Sequence, residues 1–182
     1  MSRAQAILIS VDGVNGAAVK AAAREALSAI GRARRGGISV WDASGLFEEL
    51  AVADEEAGTP SPRTLLLLFA ADLAFRLRWE IEPALAEGKV VIAAPYIETA
   101  VAFGRATGIS AGWLANLFGF APRPGDRRYV DTAPPRAVSD REGFVEFCSE
   151  RVAGIPTALT RQQLLDRARI QLQITARRAR GR

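Results

Sequence analysis

Histidine is absent from this 182-residue chain, and cysteine and methionine occur once each. Without histidine, the commonest general base near neutral pH is missing, and so is the commonest imidazole metal ligand. The single cysteine, Cys148, excludes an internal disulfide framework and suits a reducing compartment. In GFVEFCSERV it reads as a helix core residue rather than a nucleophile, because no His or Asn partner pattern accompanies it. Lysine occurs only at 20 and 89, so arginine carries the basic charge. Long apolar runs are also missing: LLLLFAA (65–71) is too short to span a bilayer and stops at Asp72. The start, MSRAQAILIS, lacks a long apolar core with a small-residue cleavage site. No signal peptide and no membrane contact are therefore expected, and the expected location is cytoplasmic.

What is present is a globular composition, 49% hydrophobic and 24% charged, which argues against disorder. The length suits one domain over 1–182, large enough to bury a sizeable core. The net charge is only +4. Basic residues concentrate in the tail, RARIQLQITARRARGR (167–182), without interleaved aromatics. A solvated helix end, where arginine suits the dipole, describes it better than a nucleic-acid arm.

The pattern alternates along the chain. AILISV (6–11) predicts a buried strand, and GAAVKAAAREALSAIG (16–31) a helix ending at glycine. ISVWDA (38–43) is strand-like after a GG turn, and 44–58 is helical. Ser61 and Pro62 pair as cap and first turn, opening a long helix that Gly88 stops. KVVIAAP (89–95) predicts a third strand, 98–108 and 109–119 two short helices, and RRYVDT (127–132) a fourth strand. Ser139 with Glu142 and Thr160 with Gln163 form capping boxes for two more helices, and 152–159 can hold a short fifth strand. Such alternation implies a parallel sheet covered on both faces.

In the long helix, Leu66, Phe69, Ala70, Leu73, Leu77 and Ile81 share one face. Leu68, Ala71, Phe75 and Trp79 fall opposite, with Asp72, Arg76 and Glu80 as an ion-pairing column between them. Two apolar faces need two things to pack against. One is the sheet; the other is a second subunit or another helix of the same chain.

Several strings, in order, resemble thymidylate kinases of the P-loop kinase fold. In that family the first strand leads into D-G-x-G-K-[S/T]. The matching string here runs Val11, Asp12, Gly13, Val14, Asn15, Gly16, Ala17, Ala18, Val19, Lys20. The family's LLFAADR is LLFAADL here, with Leu73 for the arginine, and PALAEGKVVIAAPY matches its P-A-L-x-x-G and VVxxDRY. Its S-x-x-A-Y is matched by Thr99, Ala102 and Phe103, and PRPGDRRYVDT resembles its strand from P-D-L to L-D-V. The resemblance implies a three-layer α/β/α fold with a parallel sheet of about five strands.

The resemblance also assigns positions. Asp12, Gly13, Asn15, Gly16 and Lys20 fall on the phosphate-binding loop. Phe69 and Asp72 fall near the thymidine pocket, and Phe69 also lies on the core stripe. Tyr96, Thr99 and Phe103 could line an acceptor pocket, or pack in the core. Asp131, ending a strand at the ligand-bearing edge, could hold a metal or cap a turn.

The departures are concentrated in the chemistry. A phosphate loop uses curled backbone N–H groups, a lysine for the outer phosphates and a hydroxyl for magnesium. Here Val19 stands at the lysine position, Lys20 at the hydroxyl and Ala18 at the second glycine. Ala94 and Pro95 replace the D-R of D-R-Y, and WDASG (41–45) replaces R-E-P-G-G. The arginine-rich lid is reduced to APPRAVSDREG, with Arg136 and Arg141 off the family spacing. Losing one preorganised donor costs roughly a hundredfold to a thousandfold in rate. Losing an arginine finger costs roughly a thousandfold to a hundred-thousandfold. The expectation is a catalytically inactive protein that uses the scaffold for protein interaction or ligand sensing. It has no expected cofactor and forms a homodimer through the 62–87 helix. The alternative is a divergent dTMP kinase using ATP and magnesium.

Overall fold

The computed structural model describes residues 5–13, 15–41 and 61–130. The expected helix at 44–58, Asp131, Arg136, Arg141, the Cys148 helix, the strand within 152–159, the closing helix and the tail lie outside the described residues.

The chain enters through β1 (Ile7–Gly13), whose inner five residues are all buried. α1 (Gly16–Ser28) follows, then a short 3-10 turn and β2 (Arg35–Val40). The long helix is α2 (Pro62–Arg76), which runs through a π-helical turn (Leu77–Ile81) into α3 (Glu82–Ala86). β3 (Val90–Ala94) comes next, then α4 (Ile97–Ala106), α5 (Ala111–Leu117) and β4 (Asp126–Val130).

The described sheet is parallel, in the order β2-β3-β1-β4. The crossovers that parallel pairing requires are supplied by the helices. β3 is buried at all five residues, as a central strand covered on both faces should be. Successive residues of a strand point to opposite faces. Asp12 points to α4, where it meets Thr99, while the next residue, Gly13, lies over Val19 of α1. α1 and α4 therefore cover opposite faces, giving the expected layered α/β fold with four described strands.

One boundary differs from the expectation. β2 spans 35–40 rather than 38–43, so the GG pair sits inside the strand rather than before it. A register shift lies between Arg35 and Gly37, and Gly37 takes φ 105°, open to glycine at little cost. A Cβ on Gly36 would come within 2.8 Å of Val91 Cγ2 and 2.9 Å of the Val90 carbonyl. The two glycines thus allow β2 to lie close against β3. Sequence pattern read them as a turn because the same freedom serves both uses.

The long helix opens as expected. The Ser61 hydroxyl accepts from the Thr64 N–H at 3.2 Å, and Pro62 fills the first turn. Every residue of the stripe from Leu66 to Ile81 is buried. The opposite face is half-buried at Leu68, Phe75 and Trp79 and exposed at Ala71. The charged column is not a solvated border: Asp72, Arg76 and Glu80 are all buried.

Candidate functional site

The connection from β1 to α1 decides the local chemistry. α1 begins at Gly16, with Asn15 as its N-cap in extended conformation. The Asn15 side chain accepts from the Ala18 N–H at 3.0 Å. That N–H is one of the free donors a phosphate would need at a helix start. Val19 is buried, and its Cγ2 lies 3.0 Å from where a Cβ on Gly13 would stand. An isopropyl group thus packs under the end of β1, against Gly13. Lys20 stands on α1, partly exposed, and does not line the cleft described below.

On the other face, Asp12 ties β1 to the start of α4. Its Oδ1 accepts from the Tyr96 N–H at 2.9 Å, the Thr99 N–H at 3.2 Å and the Thr99 hydroxyl at 3.0 Å. The N-cap residue of α4, Tyr96, supplies no side-chain cap of its own. Asp12 therefore caps this helix from a distant strand, and its charge suits the positive end of the helix dipole. The Gly13 N–H lies 3.3 Å from the Thr99 hydroxyl. Asp12 Oδ2 is buried with no hydrogen-bond partner. Burial raises the Asp12 pKa above the ordinary 3.8; the N–H groups of Thr99 and Tyr96 pull it part way back, and Glu98 adds a raising charge.

Strand ends and α4 enclose a cleft of about 450 Å³. Asp12 and Glu98 are its acids, Tyr129 its ring, and Ala102 and Val130 part of its apolar wall. Its place, at the carboxyl ends of parallel strands, is where open α/β sheets bind ligands. Among the described residues, no lysine or arginine lines it. Arg127 reaches its rim through a 3.6 Å ion pair with Glu98, both about half exposed.

The expected acceptor residues divide into two groups. Thr99 belongs to the Asp12 junction. Phe69, Asp72, Tyr96 and Phe103 are buried away from the cleft wall. Phe69 is fully buried and stacks on Trp41, centroids 4.6 Å apart and planes 18° apart. Phe118 meets it edge-on at 6.1 Å. Such pairs add roughly 0.5–1.5 kcal/mol beyond the area they bury. The Tyr96 hydroxyl donates to the Pro122 carbonyl at 2.8 Å, and burial pushes the phenol up to about 12. Ala94 is buried at the end of β3, and the Pro95 carbonyl accepts from Arg76 at 2.9 Å. Arg76 also pairs with Asp72 at 3.8 Å.

Glu80 completes that column. Burial drives its carboxyl from 4.5 to about 7, with Ser39 and Arg76 opposing the shift and Asp72 adding to it. Its Oε2 and the Arg76 Nε and Nη1 have no hydrogen-bond partner. The column reaches Pro95 through Arg76 and Ser39 of β2 through Glu80, and none of its residues lines the cleft.

No three His, Cys, Asp or Glu side chains gather among the described residues. The resemblance puts Lys20 at the position of the family's magnesium hydroxyl, and an ammonium group is not a metal ligand. Nor is any helix among the described residues long and apolar enough to cross a membrane.

Glu98, Tyr129 and Val130 were not singled out by the sequence. The available signals were slight: an acid in the first turn of α4, and an aromatic spaced two residues from Arg127 on an alternating strand.

No family model matches the chain. A curated relative named "Probable thymidylate kinase" from Pyrobaculum calidifontis is 36% identical over 81 residues, 44% of this chain and 42% of that protein. Another of that name, from Pyrococcus horikoshii, is 48% identical over 58 residues, 32% and 28% of the two chains. The match thus spans less than half the length of either relative. A third, from Caldivirga maquilingensis, is 28% identical over 151 residues, 78% and 71% of the two chains. Among solved structures, thymidylate kinase from Ehrlichia chaffeensis aligns with a TM-score of 0.58 and 18% identity, over 79% of this chain and 77% of that one. Element order, parallel sheet and these likenesses agree: the chain has a thymidylate kinase-like fold of the P-loop kinase class.

Proposed function

We propose that this chain uses the nucleotide-kinase scaffold without phosphoryl transfer, for protein interaction or ligand sensing. One observation carries the reading. Helix α1 starts at Gly16, the Ala18 N–H is held by Asn15, and Val19, at the position the resemblance gives the lysine, packs against Gly13. Phosphoryl transfer depends on positioning and charge neutralisation. A valine supplies neither, and Lys20 stands outside the cleft lining. The acidic lining of the cleft adds a repulsive element for any triphosphate. A homodimer through the 62–87 helix remains part of the proposal, tested by light scattering across a dilution series. A single monomer mass at high concentration would remove it.

The decisive experiment incubates the full chain with ATP, magnesium and dTMP and follows dTDP by chromatography. The expected turnover is below a thousandth of the kinase range of roughly 1–100 s⁻¹. Turnover inside that range would sink the proposal and establish a divergent dTMP kinase. The relatives' printed names favour that second reading.

A further inference from the structure

We propose that the cleft beside Asp12 binds a small organic cation, an amine or amidine carried on an apolar or planar body. This deepens the proposed function and rests on it in one respect, that nucleotide phosphate does not occupy the cleft. The first support is an atom. Asp12 Oδ1 is already satisfied by three donors, whereas Oδ2 is buried, lacks a partner and belongs to a side chain lining the cleft. An acceptor in that state is stabilised by a donor, and most by a charged one.

Charge gives the second support. Glu98 lies close enough to Asp12 to raise its pKa, and both acids line the cleft. The N-terminus of α4 offsets part of one negative charge. Arg127 already faces Glu98 at the rim. An anion entering here meets carboxylates and, among the described residues, no lining cation; an amine or amidine meets acceptors. Shape gives the third. At about 450 Å³ the cleft falls in the range of small-molecule sites, and its walls include Ala102, Val130 and the Tyr129 ring. Tyr129 is 63% exposed, so one face of the phenol is open to a flat or cationic partner.

Benzamidine is the probe, with benzamide as its neutral isostere and inorganic phosphate as the anion. Amide chemical shifts of the full chain report the site. Saturable shifts at Gly13, Thr99 and Tyr129 are expected with benzamidine. Benzamide should bind at least about tenfold more weakly, a difference of one decade in Kd. Asp12→Asn keeps the Oδ1 acceptor for α4 but replaces the unpaired acceptor Oδ2 with a donor, and should cost about tenfold or more. Ala102→Phe, at an exposed position, should block binding with the melting temperature unchanged, and it keeps the test valid if Asp12→Asn fails to fold. Equal binding of benzamide, preference for phosphate, or benzamidine shifts unaltered by Ala102→Phe would each overturn the assignment. Absence of benzamidine binding, with no dTDP formed, removes the cation site alone. Formation of dTDP at kinase rates removes the proposed function itself.

Discussion

Two regions flank the carboxyl ends of the strands, and they are built on different terms. Around Phe69, rings from α2, from beyond β2 and from beyond α5 close on one another, and every matching side chain is buried. Around Asp12, a carboxylate oxygen stays unpaired, an aromatic ring stands in solvent and a cleft remains. The difference teaches that ligand-site resemblance and ligand-site geometry can part company. The side carrying LLFAADL packs its rings together and seals its unpaired polar atoms, at Glu80 and Arg76, inside the core, whereas the Asp12 side sets its unpaired oxygen on a residue that lines a cleft.

Truncating the closed side should break the contrast most visibly. Phe69→Ala removes a fully buried ring and both its aromatic partners' contacts, so a loss of about 3–5 kcal/mol is expected in urea denaturation. A loss below about 1 kcal/mol would mean that the ring is accessible and that this side is a pocket after all.

Next in size is the pH response of Glu80. Its pKa rises from 4.5 to about 7 on folding, so the folded chain holds the proton more tightly. Stability is therefore full below pH 4.5 and is lost as pH rises through about 7. The loss is on the order of 3 kcal/mol, and burial of Asp12 and Tyr96 acts in the same direction over their own ranges. Glu80→Gln should flatten the melting temperature between pH 5 and pH 8. An unchanged slope in that variant would move the effect elsewhere.

A smaller effect sharpens the loop. Asn15→Ala should cost about 1 kcal/mol through loss of the α1 cap, read by chemical denaturation. No loss would show that the Ala18 N–H finds another partner and that the cap is not the organising contact. Smallest of all is the open side: Tyr129→Ala should change stability by no more than about 0.5 kcal/mol, because the ring is mostly in solvent. A larger loss would mean the cleft wall is a packed surface.

Much of the fold was legible. Capping at Ser61 with Pro62, the buried stripe of α2 and the apolar runs of β1 and β3 are local or periodic signals, and the structure follows them. β2 was misplaced by three residues because Gly36 and Gly37 serve a close approach to β3, which no local pattern records. The candidate site was legible only in part. Asp12, Gly13 and Thr99 were selected and do meet. Glu98 and Tyr129 carry no motif, because a rim acid and a strand aromatic become a site only when two elements converge.

Residue order alone determined the alternation of strands and helices and their caps, since these depend on neighbours along the chain. Tertiary structure alone decided that Asp12 caps a helix 84 to 87 residues away, that Trp41 covers Phe69, and that the second oxygen of Asp12 is left without a donor. Those outcomes depend on which distant side chains exclude water together, and close packing settles that only once the layers are assembled.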